Sequence, residues 1–402
     1  MKYIVVLADG MSDYKLPELG GLTPIEKAKK DAILSLAKSG EVFSVKTVPE
    51  SLKPGSDVAN LSVMGYDPLK YYTGRSPLEA ASIGVSLADN QTAFRANLVS
   101  LGGEGEYRDL YMQDYSAGEI STAEAAEIIE TLAEKLGTEF LNLYAGISYR
   151  HLLVWSDAPE KFKLTPPHDI SGRPIADYLP DNDVLLNLMI KSREILKDHP
   201  VNIKRRNEGK NTADSLWIWG EGKRPALKSF YEEYGKKGAV ISAVDLIMGI
   251  GILAGMQVIE VPGATGNIDT NFEGKAKAAV EVLNSGADFV YIHVEAPDEC
   301  GHRGEADNKV LAIELIDSKI IAYVKEQMEM AGEDFKIMVL PDHPTPISTK
   351  THAGDPVPCV IYDSTDIKDG KAEFSEEVAS KRLFAKGDKL MGYFLGQAGF
   401  AE

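Results

Sequence analysis

The chain has 402 residues, with 43 Lys plus Arg against 61 Asp plus Glu and a formal net charge of -18. This length exceeds a small single domain and leaves ample material for a buried core, so two domains are expected. The acidic balance argues against nucleic acid or an acidic membrane as partner, and a small anionic substrate then needs a local cluster of Arg, Lys or metal ions.

The cysteines are Cys300 and Cys359, without a disulfide spacing pattern. Such sparse use points to a reducing, cytoplasmic setting. The apolar run Tyr3 to Ala8 is shorter than a signal-peptide core and meets Asp9 at once, so it is expected to be a strand. Ala239 to Ile259 contains Asp245 and several glycines, which fits a buried, glycine-packed helix better than a lipid-facing one.

In chain order, Tyr3-Ile4-Val5-Val6-Leu7 is a continuous apolar run, as in a central strand covered on both faces. It places Asp9 at a C-terminal strand end, where open α/β sheets bind ligands. Thr23-Pro24-Ile25-Glu26 predicts a capped helix running to about Ser39, followed by a strand from Val42 to Val48. Pro54-Gly55-Ser56-Asp57 is a turn opening onto a helix. Ser56 is expected at its N-cap, either as an ordinary cap or as a nucleophile beside free N–H groups that attract phosphate.

Gly74-Arg75-Ser76-Pro77 resembles a hinge, and Thr92 to Leu101 alternates as a half-buried strand does. A helix over Ser121 to Leu136, strands near Phe140 to Tyr144 and Tyr149 to Trp155, and a helix over Asn182 to Lys197 suggest a small inserted α+β domain. Lys204-Arg205-Arg206-Asn207 is expected to be a basic loop, either solvated or part of an anion-binding surface. Ser215 to Gly220 is a strand taken as the return to the first domain. Strands at Ala239 to Ala243, Gln257 to Val261, Asp288 to Ile292 and Lys336 to Leu340 then alternate with helices, the last of them over Lys309 to Met330. This βαβ rhythm calls for a mostly parallel sheet. The expected domains are therefore 1–75 with 215–402, and an insertion at 76–214.

Asp298 and His302 stand four residues apart after a strand, so a helical turn puts both on one face where they can bind one cation. The strand Ile337 to Leu340 ends in Pro341-Asp342-His343, and His352 follows in a loop. With Asp9 these residues can fill two mixed N/O metal sites, an apparatus suited to phosphoryl transfer, and Ser56 becomes the candidate nucleophile. His293 alternates within a strand and is expected to be a hydrogen-bonded core histidine, a role behind a metal ligand being the alternative. His199 is expected at the surface. Tyr149-Arg150-His151 and Pro167-His168-Asp169 belong to the insertion, where they either meet substrate or serve structure.

Taken together, Ala8-Asp9-Gly10-Met11, Gly55-Ser56-Asp57 with Asn60-Leu61-Ser62, Gly74-Arg75, Ser116-Ala117-Gly118, Tyr149-Arg150-His151, Pro262-Gly263-Ala264-Thr265-Gly266, Asp298 with Gly301-His302, Asp342-His343 and His352 with Asp355-Pro356-Val357-Pro358 resemble the archaeal-type cofactor-independent phosphoglycerate mutases. That family is a branch of the alkaline phosphatase superfamily. The resemblance implies an α/β fold, an alkaline-phosphatase-like three-layer domain with a mostly parallel sheet, carrying an inserted smaller α+β lid domain. It also implies that Asp9, Ser56, Asp342 and His343 hold one divalent ion and Asp298, His302 and His352 the other. Manganese is the expected metal, magnesium, cobalt or zinc the alternatives, and no bisphosphoglycerate is required. Ser56 is expected to form a phosphoserine with a small phosphorylated hydroxy acid, 3- or 2-phosphoglycerate, under a lid that excludes water. Arg75, Arg95, Arg150, His151, His168, Asp169, Arg205 and Arg206 are the candidates for substrate contacts. Pro344, His293-Val294-Glu295-Ala296-Pro297 and Thr73 to Glu79 also resemble a bacterial subgroup proposed as homoserine kinases, which makes phosphoryl transfer to homoserine the alternative activity. A metal-stabilised scaffold without catalysis is a third reading.

Overall fold

The computed structural model describes residues 1–401. In chain order the strands are β1 (Lys2–Ala8), β2 (Glu41–Val45), β3 (Gln91–Gly102), β4 (Tyr111–Asp114), β5 (Leu141–Tyr144), β6 (Arg150–Ser156) and β7 (Ser215–Lys223). They continue with β8 (Gly238–Ile241), β9 (Gln257–Ile259), β10 (Phe289–Val294), β11 (Phe335–Leu340), β12 (Val357–Asp363) and β13 (Leu383–Phe384). The chain forms two compact units, one made of Met1–Tyr72 with the chain from Ala226 onward, the other of Thr73–Pro225.

The larger unit holds an eight-stranded sheet in the order β13-β2-β12-β11-β1-β10-β8-β9. β1 runs parallel to both β10 and β11, β8 parallel to β10 and β9, and β12 antiparallel to β11 and β2. β10 is buried along its whole length and β1 from Tyr3 onward, which is why each is a continuous apolar run rather than an alternating one. Leu7 lies opposite both His293 and Leu340, so the chain leaves β1, β10 and β11 at the same edge.

The helix expected from Thr23 to Ser39 is two helices, Pro24–Lys27 and Asp31–Ser39. Ala28 is extended between them, and the second is capped from elsewhere in the chain: the Asp317 carboxylate accepts the N–H groups of Ala32 and Ile33. Asp317 belongs to a π-helical turn, Ile316–Ile321, which interrupts the helix expected over Lys309 to Met330. β12 escaped the sequence reading because Pro358 lies within it, and proline argues against a paired strand.

In the smaller unit β3 pairs antiparallel with β4, β6 and β7, and β5 with β6. Helices Thr122–Leu136 and Asp183–Leu196 contribute Ile128, Leu132, Leu185 and Met189 to a core with Phe94, Leu98, Leu153 and Trp217. Ser215 to Gly220, expected to be the return to the first domain, lies instead in β7, which pairs with β3 from Thr92 to Val99, and the return falls at Ala226. Lys204 to Asn207 is not a loop but the last turn of helix Pro200–Asn207. His199, expected at the surface, is the buried N-cap of that helix: Nδ1 accepts from the Val201 N–H and Nε2 lies 3.0 Å from Thr131 Oγ1. Among the described residues, no helix is long and apolar enough to cross a membrane.

Candidate active site

The shared edge of β11, β1 and β10 assembles the site. Asp9 follows β1, Asp342 and His343 follow β11, and Asp298 and His302 lie on helix Ala296–Arg303 directly after β10. The helical spacing does what the sequence requires, with His302 Nε2 3.2 Å from Asp298 Oδ2. His352, in the loop before β12, puts Nε2 3.5 Å from Asp298 Oδ1 and 2.9 Å from His302 Nε2.

Ser56 is not the cap it was expected to be. Gly55 is the N-cap and Ser56 the first residue of helix Ser56–Val63. Its hydroxyl is therefore not engaged in capping and lies 3.1 Å from His343 Nε2.

Two groups of potential ligand atoms, each within 4.8 Å of one another, are Asp9, Asp342 and His343, and Asp298, His343 and His352. His343 faces both groups, with Nε2 3.7 Å from Asp9 Oδ1 and 3.3 Å from Asp342 Oδ2, and its ring centroid 4.0 Å from that of His352. The donors are carboxylate and imidazole, a set suited to a divalent transition metal and indifferent among several. Asp9 Oδ1 is buried without a hydrogen-bond partner, an atom that a cation would satisfy.

The electrostatics point the same way. Burial, then the charges of Asp342, Asp298 and Glu295, push the Asp9 carboxyl well above its ordinary range. Burial opposes the Asp298 charge too, but hydrogen bonds to His302 and His352 hold that carboxyl well below the usual range. The bond to Asp298 raises His302 to about 9, whereas burial lowers His343.

A family model described as 2,3-bisphosphoglycerate-independent phosphoglycerate mutase matches residues 37–202. The protein of that name from Methanosarcina barkeri is 52% identical over 387 residues, covering 95% of each chain. This chain belongs to that family. A protein named as a probable mutase of the same type in Geobacter sulfurreducens is 50% identical over 94% of this chain and 95% of its own. The fold agrees: a solved cofactor-independent phosphoglycerate mutase from Thermoplasma acidophilum superposes with a TM-score of 0.69 at 27% identity, covering 99% of this chain and 100% of that one. A solved Pyrococcus horikoshii protein gives 0.82 at 29%, covering 99% and 98%. The three-layer, alkaline-phosphatase-like architecture with its mostly parallel sheet is that of the mutase family.

The substrate candidates of this family member lie in the 73–225 unit and fall into two sets. Arg95, on β3, is held by both oxygens of Glu79 and stacks 4.7 Å from the Trp219 ring. His168 packs on Trp219 at 5.3 Å and on Tyr115 at 6.1 Å, and Asp169 follows it in the turn Pro167–Ile170. Arg150 is exposed beside the Tyr149 ring, and Arg75 begins helix Ser76–Ser82. His151 is buried: Nδ1 accepts from the Gly146 N–H, Nε2 has no hydrogen-bond partner, and burial lowers the imidazole to about 3. The structure places Arg205 elsewhere, inside the unit, donating to Glu124, Asn211 O and Ala117 O. Arg206 is exposed and donates to Lys197 O.

His293 is the buried, hydrogen-bonded histidine expected of the core, and its Nε2 lies 2.8 Å from Asp9 Oδ2, a position that also suits the alternative role behind a candidate ligand. Thr345 and Tyr291 carry no site expectation from the sequence, and Asn60 enters only within a family motif, without a role. Asn60 donates to Asp342, Thr345 to Asp298, and Tyr291 to Asn60. Their signal in the sequence is slight, a polar residue inside an apolar run at Tyr291 and an asparagine one helical turn after Ser56.

Proposed function

We propose that this protein is a metal-dependent phosphomutase interconverting 3-phosphoglycerate and 2-phosphoglycerate through a phosphoserine at Ser56. The observation that carries the reading is the Ser56 hydroxyl against His343, at the first turn of a helix and beside two groups of metal-ligating side chains. The near full-length identity to proteins named as mutases supports the substrate. Asp9, Ser56, Asp342 and His343 are proposed to hold one divalent ion and Asp298, His302 and His352 the second, His343 facing both. Bound there, manganese would neutralise phosphoryl oxygens and favour the serine alkoxide.

The chain's own part is to deliver the nucleophile and position the charge. Ser56 Oγ gives up its proton and bonds to phosphorus, the bond from phosphorus to the glycerate oxygen breaks, and that oxygen takes up a proton. The glycerate then presents its other hydroxyl, which loses a proton, attacks the phosphoserine and releases Ser56, whose oxygen regains a proton. The helix N–H groups following Gly55 favour the anionic phosphoryl group throughout. The unit 73–225 is proposed as the substrate-selecting lid domain, with Arg150, His168 and Asp169 the first residues to examine.

The homoserine alternative is not favoured, since the relatives that match along nearly the whole chain carry the mutase name. A closed structural metal site would not need a serine at an anion-attracting terminus. Incubating the pure protein with 3-phosphoglycerate and Mn²⁺, without bisphosphoglycerate, is expected to yield 2-phosphoglycerate. Absence of product with every divalent metal would overturn the proposal.

A further inference from the structure

Strand β10 carries two polar side chains, Tyr291 and His293, two residues apart and therefore on one face of the sheet. Both are fully buried in a strand otherwise built from Phe289, Val290, Ile292 and Val294. Polar groups in such a place cost stability unless they are bonded, and here each bond leads toward a carboxylate of the site. The Val244 N–H donates to Ser242 Oγ at 3.0 Å, Ser242 Oγ lies 3.2 Å from His293 Nδ1, and His293 Nε2 lies 2.8 Å from Asp9 Oδ2. In the second chain the Tyr291 hydroxyl donates to Asn60 Oδ1 at 2.7 Å, and Asn60 Nδ2 donates to Asp342 Oδ2 at 2.9 Å and to Ser56 O at 2.8 Å.

The direction of both chains follows from what the end groups can do. An Asp9 that holds a metal is ionised and only accepts, so Nε2 then carries the imidazole proton; Nδ1 of a neutral ring accepts from the Ser242 hydroxyl, whose oxygen receives the Val244 N–H. Asn60 has its amide toward two acceptors and its carbonyl toward the tyrosine hydroxyl, which fixes which way it faces. Each chain therefore presents a donor to Oδ2 of one carboxylate. Asp342 Oδ1 is taken by the N–H groups of Gly10 and His343, and Asp9 Oδ1 is left without a hydrogen-bond partner, facing His343.

We propose that Tyr291 and His293 are positioning residues that hold Asp342, through Asn60, and Asp9 in the orientations that bind the metal. Strand β10 thereby supports two ligands that arrive from different neighbours, β11 and β1. This inference rests on the metal-dependent reading above. Partners of this kind behind a ligand remove its freedom to rotate and raise its affinity for the ion.

The test is Mn²⁺ titration of metal-free protein by calorimetry, on wild type, Tyr291→Phe, His293→Phe and His293→Gln. His293→Phe is expected to weaken binding about 10- to 100-fold, and Tyr291→Phe, which loses only a hydroxyl, by a smaller factor. His293→Gln should recover part of the loss, because its amide can donate to Asp9. Nitrogen NMR of isotope-labelled histidine in the Mg²⁺-loaded protein should find His293 protonated at Nε2. Should His293→Phe not fold, Tyr291→Phe and the NMR signal decide. Equal affinity in all variants beside a wild type that binds Mn²⁺ overturns this inference alone, as does protonation at Nδ1. A wild type that binds no divalent ion overturns the metal reading and this inference with it.

Discussion

Ser56 Oγ lies 3.1 Å from Nε2 of His343, and among the described residues His343 belongs to both groups of potential ligands. The proposed nucleophile is thus placed against the side chain on which the two groups converge. Ser56→Ala removes that hydroxyl and little else. Turnover is expected to fall on the order of 10⁴-fold or more, as for other nucleophiles acting as part of a unit. Stability should change by about 1 kcal/mol or less, the worth of one hydrogen bond. Steady-state assays with thermal unfolding check both, and a large loss of stability with residual turnover would contradict the assigned role.

Asp9 makes the metal-free protein sensitive to pH in a definite direction. Its folded-state carboxyl is raised, first by burial and then by neighbouring carboxylates, so folding favours the protonated form. Lowering the pH from neutral should therefore make the Asp9 contribution to the stability of the chelator-treated protein more favourable, while the buried His151 and His293, lowered by burial, act the other way over the same range. Asp298 acts oppositely but in a different window. Its depressed carboxyl contributes stability above the unfolded value of about 4, lost only as pH falls below that value. Asp9→Asn removes the first effect: at neutral pH the metal-free variant should unfold at a higher temperature than wild type, and the difference between the two should shrink as the pH falls. Thermal unfolding against pH decides this, and an unchanged profile would refute it.

How much of this was legible in the sequence depended on the range of the interaction concerned. The apolar runs of β1, β10 and β11 are local patterns, and once they are strands side by side the placing of Asp9, Asp298 and Asp342 at one edge follows. The i, i+4 relation of Asp298 and His302 is equally local. What the sequence misplaced or left open is decided by partners far along the chain. Ala28 breaks a helix that Asp317 restarts, Ser215–Lys223 is claimed by β3, and His293 meets Asp9 only because β10 lies beside β1. Ser56 is the instructive case, since its residue type suits a cap as well as a nucleophile, and only the position of Gly55 separates the two.

Arg205 and Arg206 are adjacent in sequence and should behave differently. The Arg205 side chain is 3% exposed and pairs with Glu124 at 2.7 Å, while also donating to Ala117 O and Asn211 O. Removing one partner of a buried pair costs about 3–5 kcal/mol. Arg205→Ala should therefore destabilise the 73–225 unit by roughly 3 kcal/mol, seen as faster limited proteolysis within it. Arg206→Ala, at an exposed guanidinium, should leave stability within about 0.5 kcal/mol of wild type. If instead Arg205→Ala raises KM at unchanged stability, the residue serves substrate binding after all.

Gly10 brings the backbone close to the proposed metal site. Its φ of +60° is a conformation that L side chains rarely adopt, and an added Cβ would stand 2.6 Å from both Asp298 Oδ1 and Thr345 Oγ1. Gly20 offers the control, with φ +76° and nothing within 4 Å of the added atom. Gly20→Ala should cost only the backbone term, about 1–2 kcal/mol. Gly10→Ala carries that term and must also displace Asp298, so Mn²⁺ affinity and turnover should fall together while those of Gly20→Ala do not. Because the two variants share one backbone penalty, the difference between them isolates the clash with Asp298, the proposed ligand. Equal Mn²⁺ affinity in both would mean that the loop after β1 yields without moving Asp298.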